Sequence, residues 1–181
     1  MRNRIASLDR SLSTWGRLSP PGVPGHLIAK AVSPWGATVQ GLAAALALRA
    51  AGRPWIPVAL TPPSAVVLAK VLKQLTSRAR PGLTRFKKKG RQSFPSSHVA
   101  GPAALFGSLF VLAPRTKPWL AVLALGTAVT TIAAVERVCA ARHWPTDVLA
   151  GAVLGAAIGV AVGRTSSRAA ASSFPAEPAT T

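Results

Sequence analysis

Five apolar segments constrain this chain more than any other feature of its sequence. No charged residue interrupts them, and they cover about residues 31–48, 54–69, 99–114, 118–135 and 148–163. Each is slightly shorter than the roughly 20 residues that a helix needs to cross a bilayer, but flanking residues can snorkel and the bilayer can thin. A soluble bundle would need more polar cover than the remaining residues supply. We therefore predict an all-α fold, a multi-pass transmembrane helix bundle with about five spans.

The apolar segments divide the chain into three regions. Residues 31–164 form the predicted transmembrane domain. In residues 1–30, apolar side chains recur at helical spacing among charged ones, which predicts an amphipathic helix lying in the membrane interface; a soluble helix covering one end of the bundle fits nearly as well. Ser, Ala, Thr and Pro dominate residues 165–181, so we expect a disordered tail there.

The charge balance is strongly basic. The chain has 22 Lys and Arg against 4 Asp and Glu, a net charge of +18. Such a balance often indicates nucleic-acid binding, but here the cations cluster between apolar segments. They therefore favour an anionic membrane surface or a phosphorylated substrate as the partner, and not nucleic acid. One cysteine, Cys139, allows neither an internal disulfide nor a cysteine metal cluster.

Ionisable side chains gather in three polar segments beside the apolar ones, where charges are costly unless function requires them. The first segment, KQLTSRARP, contains Lys73 and Arg80, whose point charge and planar fork both suit a phosphate. The second, SFPSSHVAGP, places Ser96 and Ser97 at a helix start that suits an anion, followed by His98 as a candidate proton donor. Interfacial snorkelling and helix capping are the simpler interpretations of these residues taken one by one.

The third polar segment, AVERVCAARHWPTDVLAGAVLG, contains His143 and Asp147 four residues apart, around the helix start that Pro145 indicates. A carboxylate there can hold one imidazole nitrogen and leave the other free. Arg137 lies six residues earlier and needs a turn to reach the same place. Because successive spans alternate in direction, all three polar segments fall on one side of the membrane. Together they contain the groups of a phosphoryl-transfer site.

With these residues the sequence resembles the type 2 phosphatidic acid phosphatase family, which is related in fold to vanadium haloperoxidases. That family's pattern reads Lys, six residues, Arg-Pro; then Pro-Ser-Gly-His; then Ser-Arg, five residues, His, three residues, Asp. This chain matches the first part in full and the other two with one departure each. The matching residues are Lys73, Arg80 and Pro81; Pro95, Ser96 and His98, with Ser97 in place of Gly; and Arg137, His143 and Asp147, with Glu136 in place of Ser.

The resemblance implies a lipid phosphatase that works through a phosphohistidine. His143 would be the nucleophile and Asp147 would orient it, while His98 would protonate the leaving oxygen and then activate water. The phosphate would be bound by Lys73, Arg80, Ser96, Arg137 and the backbone amide of Ser97. No metal or cofactor is expected, because fixed cations supply the charge that Mg²⁺ supplies in kinases.

Sidedness and substrate follow less directly from the sequence. Sixteen cations lie on the side of the polar segments and six on the other; without Lys73, Arg80 and Arg137 the division is 13 to 6. The positive-inside rule then predicts a cytoplasmic active site in the cell membrane. That side favours a biosynthetic intermediate such as a polyprenylphosphoryl pentose phosphate, although undecaprenyl or decaprenyl diphosphate and phosphatidate are also compatible.

The sequence leaves the lipid and the oligomeric state open. Two other functional classes are weaker alternatives. A non-catalytic protein that binds anionic lipid would not need His143. A small transporter would place polar residues at mid-span, where this chain has only a few, all uncharged.

Overall fold

Five helices form the body of the protein. The computed structural model describes residues 7, 9–11, 27, 30–81 and 92–172. Each helix contains most of one apolar segment, and the described part of the chain has no strand beyond an isolated bridge between Ala79 and Gln92. The prediction of an all-α bundle is confirmed. The helices are α1 (Pro34–Ala50), α2 (Ile56–Thr76), α3 (Ser97–Leu112), α4 (Lys117–Cys139) and α5 (Pro145–Ser172).

Three of these helices are long and apolar enough to cross a membrane: α2, α4 and α5, with 21, 23 and 28 residues. Helices α1 and α3 are shorter, with 17 and 16 residues. Helix α3 lies at the centre of the bundle and is buried along most of its length, whereas α4 exposes large apolar residues such as Leu125 and Val135. In a bilayer such exposed side chains contact lipid, so their exposure agrees with a membrane protein.

The structure corrects one region boundary. The sequence predicts a disordered tail from Thr165, but α5 continues to Ser172. Residues 165–172 contain no Gly or Pro, and their three consecutive alanines favour helix, so nothing local ends it there. The predicted interfacial helix of residues 1–30 lies almost entirely outside the described residues, as do the end of the tail and the basic stretch after Pro81.

Helix α5 packs against α3 through a row of glycines, Gly151, Gly155 and Gly159, all buried. A side chain at these positions would overlap the backbone carbonyl oxygens of Ser96, Ala100 and Ala104, respectively. The row therefore brings the two helix backbones into direct contact, as small residues four apart do in membrane proteins. It also sets the start of α3 against the first turns of α5.

A methyl group at Gly155 should separate α3 from α5. We expect Gly155→Ala to lower the thermal unfolding midpoint in detergent and reduce any activity of the adjoining site, because the new Cβ meets the Ala100 carbonyl and overpacking costs about 1–3 kcal/mol. The matched control, Ala157→Val, adds bulk at an exposed position of the same helix. Equal unfolding midpoints for the two variants would contradict this account of the packing.

Candidate active site

The three polar segments meet at one end of the bundle, where α2 and α4 end and α3 and α5 begin. The backbone N–H of Ser96 donates to the carbonyl of Asp147 at 2.9 Å, which joins the second segment to the third. The Oγ1 of Thr76 donates to the carbonyl of Phe94 at 2.9 Å, which joins the end of α2 to the approach to α3. The structure therefore brings the sequence-predicted site residues together.

A tight turn after α4 explains the six-residue spacing between Arg137 and His143. The N–H of Ala141 donates to the carbonyl of Val138 at 2.9 Å, and the N–H groups of Arg142 and His143 donate to the carbonyl of Arg137 at 3.0 and 3.1 Å. This is the Schellman pattern of helix ends. Its left-handed position is Ala141, with φ +52°, where Gly is usual. The turn reverses the chain so that His143 returns to Arg137.

His143 and Asp147 form a buried pair, with 1% and 0% of their side chains exposed. Nδ1 of His143 lies 3.7 Å from Oδ2 of Asp147, a distance longer than a hydrogen bond, at which the carboxylate would attract a positively charged imidazole. The same Oδ2 accepts a hydrogen bond from the backbone N–H of Trp144 at 2.8 Å. Asp147 thus caps the first turn of α5 while facing the imidazole. Such catalytic contacts often shorten only when substrate binds.

The second segment contributes polar atoms that the described protein leaves unpaired. Ser96 occupies the N-cap of α3, as its sequence predicts, but its hydroxyl does not bond to the helix. Its buried Oγ and the buried Nδ1 of His98 have no hydrogen-bond partner among the described residues. The His98 and His143 rings lie 6.4 Å apart between centroids. Buried polar groups without partners are uncommon in folded proteins, and two of them lie here at the start of α3.

Three cations surround these groups. Nζ of Lys73 donates to Oγ of Ser97 at 3.2 Å, so the serine that replaces the family's usual glycine holds this lysine in place. Nη1 of Arg80 donates to the carbonyl of Arg142 at 3.1 Å, which anchors it to the turn before His143. Arg137 is 5% exposed, in the last turn of α4. Helix-start amides and cations together form an anion cradle.

Glu136 takes part in this cradle. It is 3% exposed, and its Oε2 lies 3.2 Å from Nε of Arg137. The carboxylate therefore neutralises part of the charge that Arg137 offers to a phosphate. The residue that replaces the family's usual serine thus lies against the site arginine.

The electrostatics of the site favour a neutral, nucleophilic His143. Burial lowers the pKa of His143 below its ordinary value; Asp147 opposes this effect, and Lys73 and Arg80 add to it. Burial and the neighbouring Arg142 also lower the pKa of Arg80, although a guanidinium stays charged in proteins. The imidazole lone pair is therefore available at a pH where an exposed histidine would be partly protonated.

Sequence reasoning missed two residues of the site, Arg78 and Asp9. Arg78 donates to Oδ1 of Asp147 at 2.8 Å and pairs with the buried Asp9. Arg78 lies inside the first polar segment, but the family pattern leaves its position unspecified. Asp9 is one of only four acidic residues, and that scarcity was the one signal in the sequence.

The fold and the site define an integral-membrane helix bundle in which histidine, acidic and basic side chains are gathered at one end. The chain belongs to the PAP2 superfamily, whose family model matches residues 54–170, a range that includes all three polar segments. Membership of this superfamily supports a phosphatase, a phosphoric monoester hydrolase, that acts in the membrane. The family recognised from the motifs is confirmed.

One solved structure illustrates the fold. It is a transmembrane PAP2-type phosphatidylglycerolphosphate phosphatase from Bacillus subtilis, with a TM-score of 0.66 and 22% sequence identity over 92% of this chain and 88% of that one. At this identity the likeness concerns the fold. A search of curated proteins gave no significant match.

Removing the Glu136 charge should strengthen phosphate binding. We expect Glu136→Gln and Glu136→Ser to lower the inhibition constant for inorganic phosphate about tenfold, or about 1.4 kcal/mol, because Arg137 is then no longer partly neutralised. Both variants should also unfold at lower temperature, since the buried arginine loses its partner. Product inhibition and thermal unfolding in detergent measure the two effects. Glu177→Gln, outside the family match, is the control, and unchanged or weaker phosphate inhibition in the Glu136 variants contradicts this role.

Proposed function

We propose that this chain removes a phosphate group from a membrane lipid through a covalent phosphohistidine at His143. The observation that supports this most is the buried His143, placed between the Asp147 carboxylate and the His98 ring beside three cations. A nucleophile, an orienting carboxylate, a proton donor and an anion cradle are the parts that phosphoryl transfer needs.

In the first step, Nε2 of His143 forms a bond to phosphorus as the ester P–O bond breaks. The proton on His98 passes to the leaving lipid oxygen, which departs as an alcohol. The imidazole becomes positive as it is phosphorylated, and Asp147, facing Nδ1, stabilises that charge. Lys73, Arg80 and Arg137, with the Ser96 hydroxyl and the Ser97 amide, bind the other phosphate oxygens.

In the second step, water hydrolyses the phosphoenzyme. His98, now neutral, accepts a proton from the water as its oxygen bonds to phosphorus. The P–N bond then breaks, which releases inorganic phosphate and restores neutral His143. The same histidine thus acts as acid and then as base. His143 is buried and His98 is partly buried, and a low-dielectric site makes each of these charge interactions stronger than it would be in water.

An apolar groove beside the site supports a lipid substrate. It has a volume of about 450 Å³, and its walls include Val99, Phe106, Thr130, Ala134, Val148 and Leu149. Val99 follows His98 directly and Val148 follows Asp147, so the wall of the groove comes within one residue of the site along the chain. An aliphatic chain in this groove would contribute about 0.8 kcal/mol per buried methylene. Candidate substrates are phosphatidylglycerol phosphate, for which the Bacillus subtilis phosphatase is named, phosphatidate and polyprenyl phosphates or diphosphates.

The function can be tested by phosphate release from these lipids in detergent with a chelator present. We expect the wild type to release phosphate, His143→Ala to release none, and His98→Ala to lose roughly 10²- to 10⁴-fold with alkyl esters. The aryl oxide of an aryl phosphate is a good leaving group that needs no proton. With such a substrate, His98→Ala should therefore retain much more of the first-step activity. His26→Ala, outside the three polar segments, is the control. No release from any lipid, or equal release by all four proteins, would falsify the mechanism.

We also propose that the active site faces the cytoplasm of the cell membrane. The excess of Lys and Arg on that side of the sequence supports this orientation. Because α5 leads away from the site end, the orientation places the C-terminus outside. Fusions after Thr181 should therefore show active alkaline phosphatase and dark green fluorescent protein. A fluorescent fusion without alkaline phosphatase activity would show that the active site faces the outside, and would contradict the proposed orientation.

A further inference from the structure

Arg78 lies between two buried carboxylates. Its Nη1 donates to Oδ1 of Asp147 at 2.8 Å and its Nη2 pairs with Oδ2 of Asp9. Asp147 and Asp9 are 0% and 1% exposed, and Arg78 is 28% exposed. Buried carboxylates of this kind are strongly destabilising unless they are paired. The arginine therefore holds Asp147 by one oxygen while the other faces His143.

Thr146 closes the network. Its backbone N–H donates to Oδ1 of Asp9 at 3.2 Å, and its hydroxyl donates to Oδ2 of Asp9 at 2.8 Å. Nη1 of Arg78 also donates to Oγ1 of Thr146 at 2.8 Å. Asp9 thus accepts from the first turn of α5, where the helix dipole favours a negative charge. The residue before Asp147 and the Oδ1 atom of Asp147 are both fixed by groups outside α5.

Arg78 is itself held in place before substrate arrives. It follows Ser77, which ends α2 in the left-handed conformation at φ +47°. Its guanidinium lies 5.7 Å from the centroid of the Trp144 ring, a cation–π distance. Nε1 of Trp144 donates to the carbonyl of Ala79 at 2.9 Å. Two contacts therefore connect the segment after α2 to Trp144. The backbone N–H of Trp144 donates to Oδ2 of Asp147, the oxygen that Arg78 does not contact.

We propose that Arg78 and Asp9 are positioning residues for Asp147, so that Asp9 belongs to the functional site. The inference rests on the proposed function of His143. Arg78 fixes the direction of the Asp147 carboxylate and draws some of its charge away from His143. Asp9 neutralises part of the Arg78 charge, so Asp147 keeps more of its attraction for His143. In a chain with four acidic residues, one of them is placed behind the carboxylate that faces the nucleophile.

The charges give the two residues opposite effects on the acid limb of the pH profile. His143 faces Asp147 on α5, His98 on α3, Lys73 on α2 and Arg80 after it, while Arg137 ends α4; these stay unchanged in the variants. Activity falls as pH drops through the pKa of His143. Without the Arg78 cation, Asp147 attracts the His143 proton more strongly, so the limb moves to higher pH. Without the Asp9 anion, Arg78 further weakens the attraction of Asp147 for the His143 proton, so the acid limb moves to lower pH.

The test uses the full-length protein in detergent with the lipid phosphate on which the wild type is most active. We expect Arg78→Gln and Asp9→Asn to lower kcat roughly 10- to 100-fold, as loss of a partner behind a site ligand does in metalloenzymes, with KM within about twofold, because neither residue belongs to the proposed phosphate cradle. Arg78→Lys should recover only part of kcat, since one ammonium lacks the planar fork that binds both carboxylates. Arg164→Gln, exposed on α5 beyond the family's polar segments, is the control.

The double variant Asp9→Asn with Arg78→Gln separates positioning from simple stability. If Asp9 acts through Arg78, removing Asp9 should have little further effect once Arg78 is gone. We therefore expect the acid limb of the double variant to lie close to that of Arg78→Gln, and not at the position given by adding the two single-variant shifts. If Arg78→Gln does not fold, the nearly isosteric Asp9→Asn provides the test, through its kcat and the position of the acid limb of its pH profile. An active wild type with inactive His143→Ala, but wild-type kcat and pH profiles in Asp9→Asn and Arg78→Gln, overturns this inference alone. An inactive wild type, or an active His143→Ala, overturns the proposed function.

Discussion

The contact between the backbones of α3 and α5 is the constraint on which the rest of the structure depends. Gly151 lies directly against the Ser96 carbonyl, and Ser96 in turn donates to the carbonyl of Asp147. The residues of the second polar segment are therefore placed against those of the third by a packing contact that tolerates no side chain. The turn after α4 then returns His143 to the same place. The geometry of the polar site thus depends on this one helix pair.

The charges at this end of the bundle are arranged as compensated groups. The three acidic residues that the structure describes are all buried there, and each contacts an arginine: Glu136 with Arg137, and Asp9 and Asp147 with Arg78. Lys73 and Arg80 contribute further cations. Burying charges is costly without partners, and this arrangement has a net positive charge that a phosphate would neutralise. Burial also strengthens each interaction relative to water.

Local patterns in the sequence predicted the helices and most of the site. Five uncharged segments required five helices, and the spacing of Lys73, Arg80, His98, Arg137, His143 and Asp147 placed them at helix ends. The failures have physical reasons as well. The end of α5 was predicted too early because composition alone indicates disorder, whereas Ala-rich sequence extends a helix that is already nucleated.

Pairings between distant residues could not be predicted. Asp9 and Thr146 are 137 residues apart, and no periodicity reports a contact across that distance. The side on which Glu136 lies depends on rotamer and packing, which the sequence does not contain. The Schellman turn was concealed because Ala141 occupies the position where glycine is the usual signal. Tertiary contacts, and not local propensity, decided each of these cases.

The central claim is that His143 becomes covalently phosphorylated. It is tested most directly by rapid acid-free quenching of wild-type enzyme with an aryl phosphate, followed by mass-spectrometric mapping of the attached phosphate. The account predicts an acid-labile, alkali-stable phosphoryl group on the imidazole of His143 that accumulates further in His98→Ala. Turnover with the phosphate found on another residue, or with no phosphoenzyme in either protein, would contradict it.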